Sequence, residues 1–359
     1  MLLSKFNNLQ IAGIACATPT QEVTAEELYE KFGKDVVEKT IKMVGVKRSR
    51  QSTRKQLSSD LGYVAARAIL QTKQIDPSSI GVLLYVTQTP DYRVPATASI
   101  LHQRLGLTVD CAAMDINLGC SGFIYGVHSA CSLLTSLNCE RALCIVGDTS
   151  SKLGSQEDRV SSLLFGDGTA AILIEKSVQA RSIEIALRSD GSRYDAIMIP
   201  NGAFRAMTLT PEELALGHRS YAYPIMKGTD VFNFSITDIP KHIHEFLLGQ
   251  NKSISDYDCL ALHQANLFML QQIAKRVKAS PEQLLVSIDR YGNTSGASIP
   301  LSLVDRYGAQ DRGEIQALMS GFGVGLSWGV MSASLLAENI LPMIYTDEFY
   351  DDPALNVQE

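Results

Sequence analysis

Hydrophobic positions along the chain fall into two rhythms. Short apolar runs closed by turn formers occur at 80–90 (IGVLLYVTQTP), 141–150 (RALCIVGDTS) and 170–177 (AAILIEKS), and each predicts a buried strand. Helical spacing lies between them. The stretch SSDLGYVAARAILQTK (58–73) sets Leu61, Val64, Ala65, Ala68 and Ile69 on one face, with Ser58 or Ser59 as its cap. SGFIYGVHSACSLLTS (121–136) is apolar nearly all round, which predicts a helix buried at the centre of the protein. The theme then returns: CLALHQ (259–264) predicts a strand, ANLFMLQQIAKRVK (265–278) a helix, and GFGVGLSWGVMSASLLA a closing strand pair. This is an α/β pattern of two similar halves sharing one core, residues 1–180 and 181–338, followed by an acidic tail, residues 339–359.

Three stretches depart from that rhythm. Residues 315–337 are free of charge and long enough to span a bilayer, but their four glycines and four serines suit a buried hairpin better than a helix. Residues 191–228 are rich in turn formers and predict an excursion over the surface, a candidate cover for a site. Residues 341–359 carry five acidic side chains and no basic one, the composition of a surface arm.

Composition narrows the function classes. A chain of 359 residues that is 45% hydrophobic and 19% charged can bury a large core. A net charge of -6 without any Lys/Arg block gives no field for nucleic acid. Seven cysteines, an odd number without CxxC spacing, argue against a disulfide framework and against structural zinc. The opening MLLSKFNNLQIAGIACATP has Lys5, Asn7 and Asn8 among its apolar positions and reads as no export signal, so the expected setting is a reducing cytoplasm, with no membrane anchor.

Chemistry concentrates at three junctions. In MDINLGCSGFIYGV (114–127), Cys120 stands in a turn between a strand and an apolar helix, flanked by Gly119 and Gly122. Helix N-terminal N–H groups would lower the pKa of a thiol there and stabilise an oxyanion. That stretch alone fits a small buried residue equally well. Cys111, Cys131, Cys139, Cys144 and Cys259 lack such a setting and read as core thiols. Among the histidines, His263 directly follows an apolar run and precedes a helix, in a setting that mirrors Cys120. His128 lies within the buried helix, and His102, His218, His242 and His244 lie in polar or helical contexts. In YGNTSGASIPLSL (291–303), Gly292 and Gly296 let the backbone turn and present the Asn293 amide.

The motifs DINLGCSGF, LHQAN, YGNTSGASIPLSL and GFGVGLSWG, in this order, resemble those of the thiolase-fold condensing enzymes, and most closely β-ketoacyl-ACP synthase III. LLFGDGTAAILI and GTDVFNFSI extend the resemblance over about residues 8–338. It implies a five-layered αβαβα fold of two duplicated halves and a homodimer. It also implies Cys120 as the acyl-accepting nucleophile, His263 and Asn293 as the pair acting on a malonyl unit, and the N–H groups of Cys120 and Val324 as oxyanion donors. The implied reaction is decarboxylative condensation of an acyl thioester, on CoA or an acyl carrier protein, with malonyl-ACP, and it calls for no metal or redox cofactor.

Departures from the family pattern bear on the substrate. Lys39 and Met43 occupy places where acetyl-CoA users carry an adenine clamp, while Arg159 retains the match to a nucleotide-associated arginine. Phe268 replaces an arginine linked to carrier docking, and Val94 matches the residue that reaches across the dimer to limit acyl length. A small Val94 implies a pocket for a medium or long acyl chain. Three other readings share the fold: an acyltransferase passing the group to a non-malonyl acceptor, a type III polyketide synthase or hydroxymethylglutaryl-CoA synthase, and a non-catalytic subunit. Retention of His263 and Asn293 together favours the decarboxylating synthase.

Overall fold

A computed structural model describes residues 2–217, 221–308, 310–311 and 313–356. His218 and the last three residues of the acidic tail therefore lie outside the described residues. The first part of the chain supplies β1 (Leu3–Phe6), β2 (Leu9–Pro19), α1 (Ser58–Thr72), β3 (Ile80–Val86), α2 (Thr97–Arg104), β4 (Ala112–Ile116), α3 (Gly122–Ser136), β5 (Arg141–Thr149) and β6 (Asp167–Lys176). The second supplies β7 (Ile183–Ser189), β8 (Ile197–Met198), β9 (Ile225–Met226), α4 (Gly228–Gly249), β10 (Cys259–Leu262), α5 (Leu267–Val277), α6 (Ser298–Tyr307), β11 (Glu314–Gly323), β12 (Ser327–Leu336) and β13 (Ile344–Thr346).

Strand order reveals a repeat. One sheet runs β13-β2-β6-β5-β3-β4 and the other β1-β7-β12-β11-β10. Within the first, β2-β6-β5-β3 pair antiparallel, antiparallel and parallel. In the second, β7-β12-β11-β10 pair in the same three senses. Helices α3 and α6, each placed before the matching strand β5 or β11, lie between the sheets, whereas α1 and α2 cover one outer face and α4 and α5 the other. The result is the five-layered αβαβα arrangement.

Side-chain alternation explains why the layers hold. On β3, Val82, Leu84 and Val86 face the central core beside Phe123 and Val127 of α3, while Leu83 and Tyr85 face Leu61 and Ile69 of α1. On β10, Cys259 and Ala261 point inward, while Leu260 and Leu262 meet Ile243 and Phe246 of α4. Strands covered on both faces read as continuous apolar runs, and a helix between two sheets must be apolar all round. The charge-free stretch at 315–337 is the antiparallel hairpin β11–β12. No helix among the described residues is long and apolar enough to cross a membrane.

The opening segment is strand, with β2 in the first sheet and β1 in the second. Several expectations need correction. The tail is no free arm: Ile340 and Leu341 are buried, β13 pairs with β2, and Glu348 forms an ion pair with Arg67. Neither Ser58 nor Ser59 caps α1. The cap residue is Leu57, whose N–H donates to Asp60 Oδ2 at 2.8 Å. Cys131, Cys144 and Cys259 are core thiols, but Cys111 and Cys139 are only half-buried. The repeat also redefines the mirrored setting of His263: its turn follows β10 and matches the turn after β3, whereas Cys120, before α3, matches the turn of Asn293 to Ser295 before α6.

Candidate active site

Cys120 lies in the turn between β4 and α3, as its flanking residues predict. Gly119 lies close against Gln88: a Cβ there would meet Gln88 Oε1 at 2.3 Å. From the other side of the site, Gly323 approaches so closely that its Cβ would sit 2.5 Å from Cys120 Cβ. The backbone N–H groups of Cys120 and Val324 both point at the sulfur, the two donors that an oxyanion at the same place would use. Those contacts do not leave the thiol acidic. Burial, reinforced by the charge of Asp148, pushes Cys120 up to about 11, which overturns the expectation of a lowered pKa: desolvation of the thiolate outweighs the backbone dipoles.

A pair of serines fixes the Val324 turn. Ser327 Oγ donates to the Val324 carbonyl at 2.7 Å, and Ser121 Oγ donates to Ser327 Oγ at 2.7 Å. Ser121, the residue after Cys120, thus ties the Cys120 turn to the Val324 turn. A valine at position 324 is compatible with that direction of its N–H.

His263 directly follows β10 and is buried. Its Nδ1 lies 2.8 Å from Ser298 Oγ, which already accepts the Gln264 N–H at 3.3 Å. With the serine hydroxyl donating to Nδ1, Nε2 carries the imidazole proton. The ring also meets Phe322 edge-on, at 5.5 Å and 85°. Burial lowers the pKa of His263 to about 4, against a smaller opposing contact with the backbone of Ser295, so the ring is neutral at pH 7.

Asn293 is held from both sides. Its N–H donates to Leu164 O at 2.8 Å, and its carbonyl accepts the Gly166 N–H at 3.2 Å. Its Oδ1 accepts the Ser295 N–H at 2.9 Å, so the carboxamide turns its Nδ2 donors away from that contact. Cys120, His263, Asn293 and Val324 line one cavity. Residues 191–228 do cover it: β8 pairs with β9 across that excursion, bringing Ile197, Ile199, Pro224 and Met226 to its wall.

The other sequence candidates stay outside. Arg159 is exposed at the start of a short helix, Arg159–Leu164, and does not reach the cavity lining. Phe268 is half-exposed at the start of α5 and stacks on Phe232 at 5.8 Å, one residue before Met269, which does line the cavity. Val94 is 83% exposed and absent from the lining of its own chain's cavity. Sequence reasoning missed Ser121 and Ser327, which brace the Val324 turn, Ser298, which bonds to His263, and the cavity residues Gln88 and Ser150. Their one sequence signal is a polar side chain placed next to the end of an apolar run.

A thiol under two converging N–H groups, facing a neutral imidazole and a carboxamide inside a duplicated αβαβα frame, defines a cysteine-dependent condensing enzyme of the thiolase fold. Comparison with known proteins specifies it further. Residues 114–191 match the family model for 3-oxoacyl-[acyl-carrier-protein] synthase III, and residues 249–335 the model for its C-terminal part. A beta-ketoacyl-[acyl-carrier-protein] synthase III of Xanthomonas oryzae is 31% identical over 329 residues, 91% of this chain and 98% of the relative. One of Methylococcus capsulatus is 31% identical over 89% of this chain and 97% of its own. Among solved structures, a 3-oxoacyl-(acyl-carrier-protein) synthase of Burkholderia xenovorans superposes with a TM-score of 0.90 at 34% identity, covering 96% of this chain and 99% of the other. The 3-oxoacyl-(acyl carrier protein) synthase III of Pseudomonas aeruginosa superposes with a TM-score of 0.79 at 27% identity, over 95% and 100% of the two chains. The chain belongs to the 3-oxoacyl-[acyl-carrier-protein] synthase III family and is an acyl-transferring condensing enzyme.

Proposed function

We propose that this enzyme takes an acyl group from a CoA or acyl-carrier-protein thioester onto Cys120 and condenses it with malonyl-ACP. The observation that carries the reading is the convergence of Cys120, His263 and Asn293 on one cavity, each with its hydrogen-bonding partners arranged behind it. In the first step Sγ attacks the donor carbonyl, the oxyanion rests on the N–H groups of Cys120 and Val324, and the departing thiol carries away the proton. In the second, the thioester oxygen of malonyl-ACP accepts from His263 Nε2–H and Asn293 Nδ2–H while carbon dioxide leaves. The resulting enolate carbon attacks the acyl-cysteine, and Cys120 is released as thiolate and reprotonated.

Two neutral donors placed for an enolate oxygen favour this reading over transfer to a non-malonyl acceptor, which has no enolate to stabilise. The test is incubation of the pure protein with acyl-CoA and acyl-ACP donors and then malonyl-ACP, following the mass of the Cys120 peptide and carbon dioxide release. Both signals are expected. Acylation with no β-keto product would transfer the assignment to the acyltransferase.

A homodimer belongs to the same proposal. Strand β4 ends its sheet with an unpaired edge and exposes Met114, and the highly exposed Val94 is an apolar side chain that a second copy would cover. Val94 would then limit the partner's acyl pocket, and its small size favours medium or long chains. Light scattering should return twice the 39.1 kDa chain mass, and a monomer would remove that role from Val94. Seven free thiols suit the reducing cytoplasm in which we place the enzyme.

A further inference from the structure

Two polar side chains line the catalytic cavity without a task in the reaction above. Gln88 lies just beyond β3, and Ser150 just beyond β5, the strand paired with it. In the structural repeat these turns correspond to those after β10 and β11, which carry His263 and Val324, so both residues stand at the level of the chemistry. The Gln88 backbone is fixed: its N–H donates to Asp148 Oδ1 at 2.6 Å, an oxygen that also accepts the Thr87 hydroxyl at 2.9 Å. Its amide then lies against Gly119, the residue before the nucleophile.

Neither side chain has a hydrogen-bond partner among the described residues. Two other polar side chains of the wall are engaged. Ser235 Oγ donates to Val231 O at 2.8 Å, and Asn266 Oδ1 accepts the Met269 N–H at 2.8 Å. Most of what remains of the wall is hydrocarbon. A plain alkyl chain seated there would strip water from the Gln88 amide and the Ser150 hydroxyl and return nothing, a penalty that an oxygen on the chain removes.

The geometry points to an acyl donor oxygenated close to its thioester, a 3-oxoacyl or 3-hydroxyacyl group whose oxygen pairs with Gln88 and Ser150 once the chain is attached to Cys120. This rests on the acyl-cysteine reading and adds the class of acyl group. A glutamine both donates and accepts, so ketone and alcohol are each served; the experiment separates them.

Matched decanoyl, 3-oxodecanoyl and 3-hydroxydecanoyl thioesters of the carrier protein are offered to the intact enzyme, and the acylated Cys120 peptide is followed by mass over time. At least one oxygenated donor should react about tenfold faster than decanoyl, and the faster one names the oxygen. Gln88→Leu should erase that ratio, and Ser150→Ala should reduce it several-fold. Equal or faster uptake of decanoyl by the unmodified enzyme overturns the inference, as does a ratio unchanged in Gln88→Leu. If that variant fails to fold, the unmodified enzyme and Ser150→Ala decide by the same ratio. No acylation from any donor would overturn the acyl-cysteine reading with it; acylation without preference would overturn this inference alone.

Discussion

Cys120→Ala will leave the enzyme without acyl uptake, a fall of about 10⁴-fold or more in turnover, because no other thiol lines the cavity among the described residues. Cys16, Cys131, Cys144 and Cys259 are buried in the core, and burial pushes each thiol up, so none substitutes. The raised pKa of Cys120 adds a second, sharper expectation. With the thiol at about 11, the thiolate fraction grows about tenfold for each pH unit below that value. Alkylation of Cys120 by iodoacetamide, read on its tryptic peptide, should therefore accelerate about a hundredfold from pH 7 to pH 9. A rate already flat at pH 7 would mean a preformed thiolate, and the backbone dipoles would then outweigh burial after all.

The candidate groups Cys120, His263 and Asn293 were legible because each stands at a junction between regular elements, where chain pattern changes abruptly. Cys120 precedes an all-apolar helix and His263 follows an apolar strand; Asn293 opens a glycine-bracketed turn. Their mutual arrangement was not legible. Only the strand order shows that the turns after β3, β5, β10 and β11 meet, since these pairs are separated by whole elements in the chain. Gln88 was unremarked for that reason: a glutamine beyond a buried strand looks the same whether it meets solvent or an acyl group. The Ser121–Ser327 bond joins residues 206 apart and leaves no periodic trace. Strand β2 escaped notice because its apolar run was weighed against an export signal, although an unbroken run is what a strand covered by helices on both faces requires. The thiol's pKa was misjudged because a helix N-terminus can be read from sequence, whereas the depth of burial that opposes it cannot.

His263→Ala will separate the two half-reactions. Acylation of Cys120 draws on the N–H groups of Cys120 and Val324 and should continue, while condensation of the preacylated enzyme with malonyl-ACP should fall by about 10²–10⁴-fold. The enolate oxygen would keep only the Asn293 amide, and loss of one such donor typically costs 10²–10³-fold, so Asn293→Ala should show the same split. The pH profile distinguishes a neutral donor from an acid. His263, lowered to about 4 by burial, stays neutral throughout the working range, so condensation measured on preacylated enzyme should be flat between about pH 6 and pH 8. Protonation would begin only as the pH falls toward 4. A histidine titrating near its ordinary 6.5 would instead bend the profile inside that window. Equal loss of acylation and condensation in His263→Ala would give the ring a different task, that of taking the Cys120 proton. Ser298 would then accept from Nδ1–H and leave Nε2 unprotonated, the opposite tautomer.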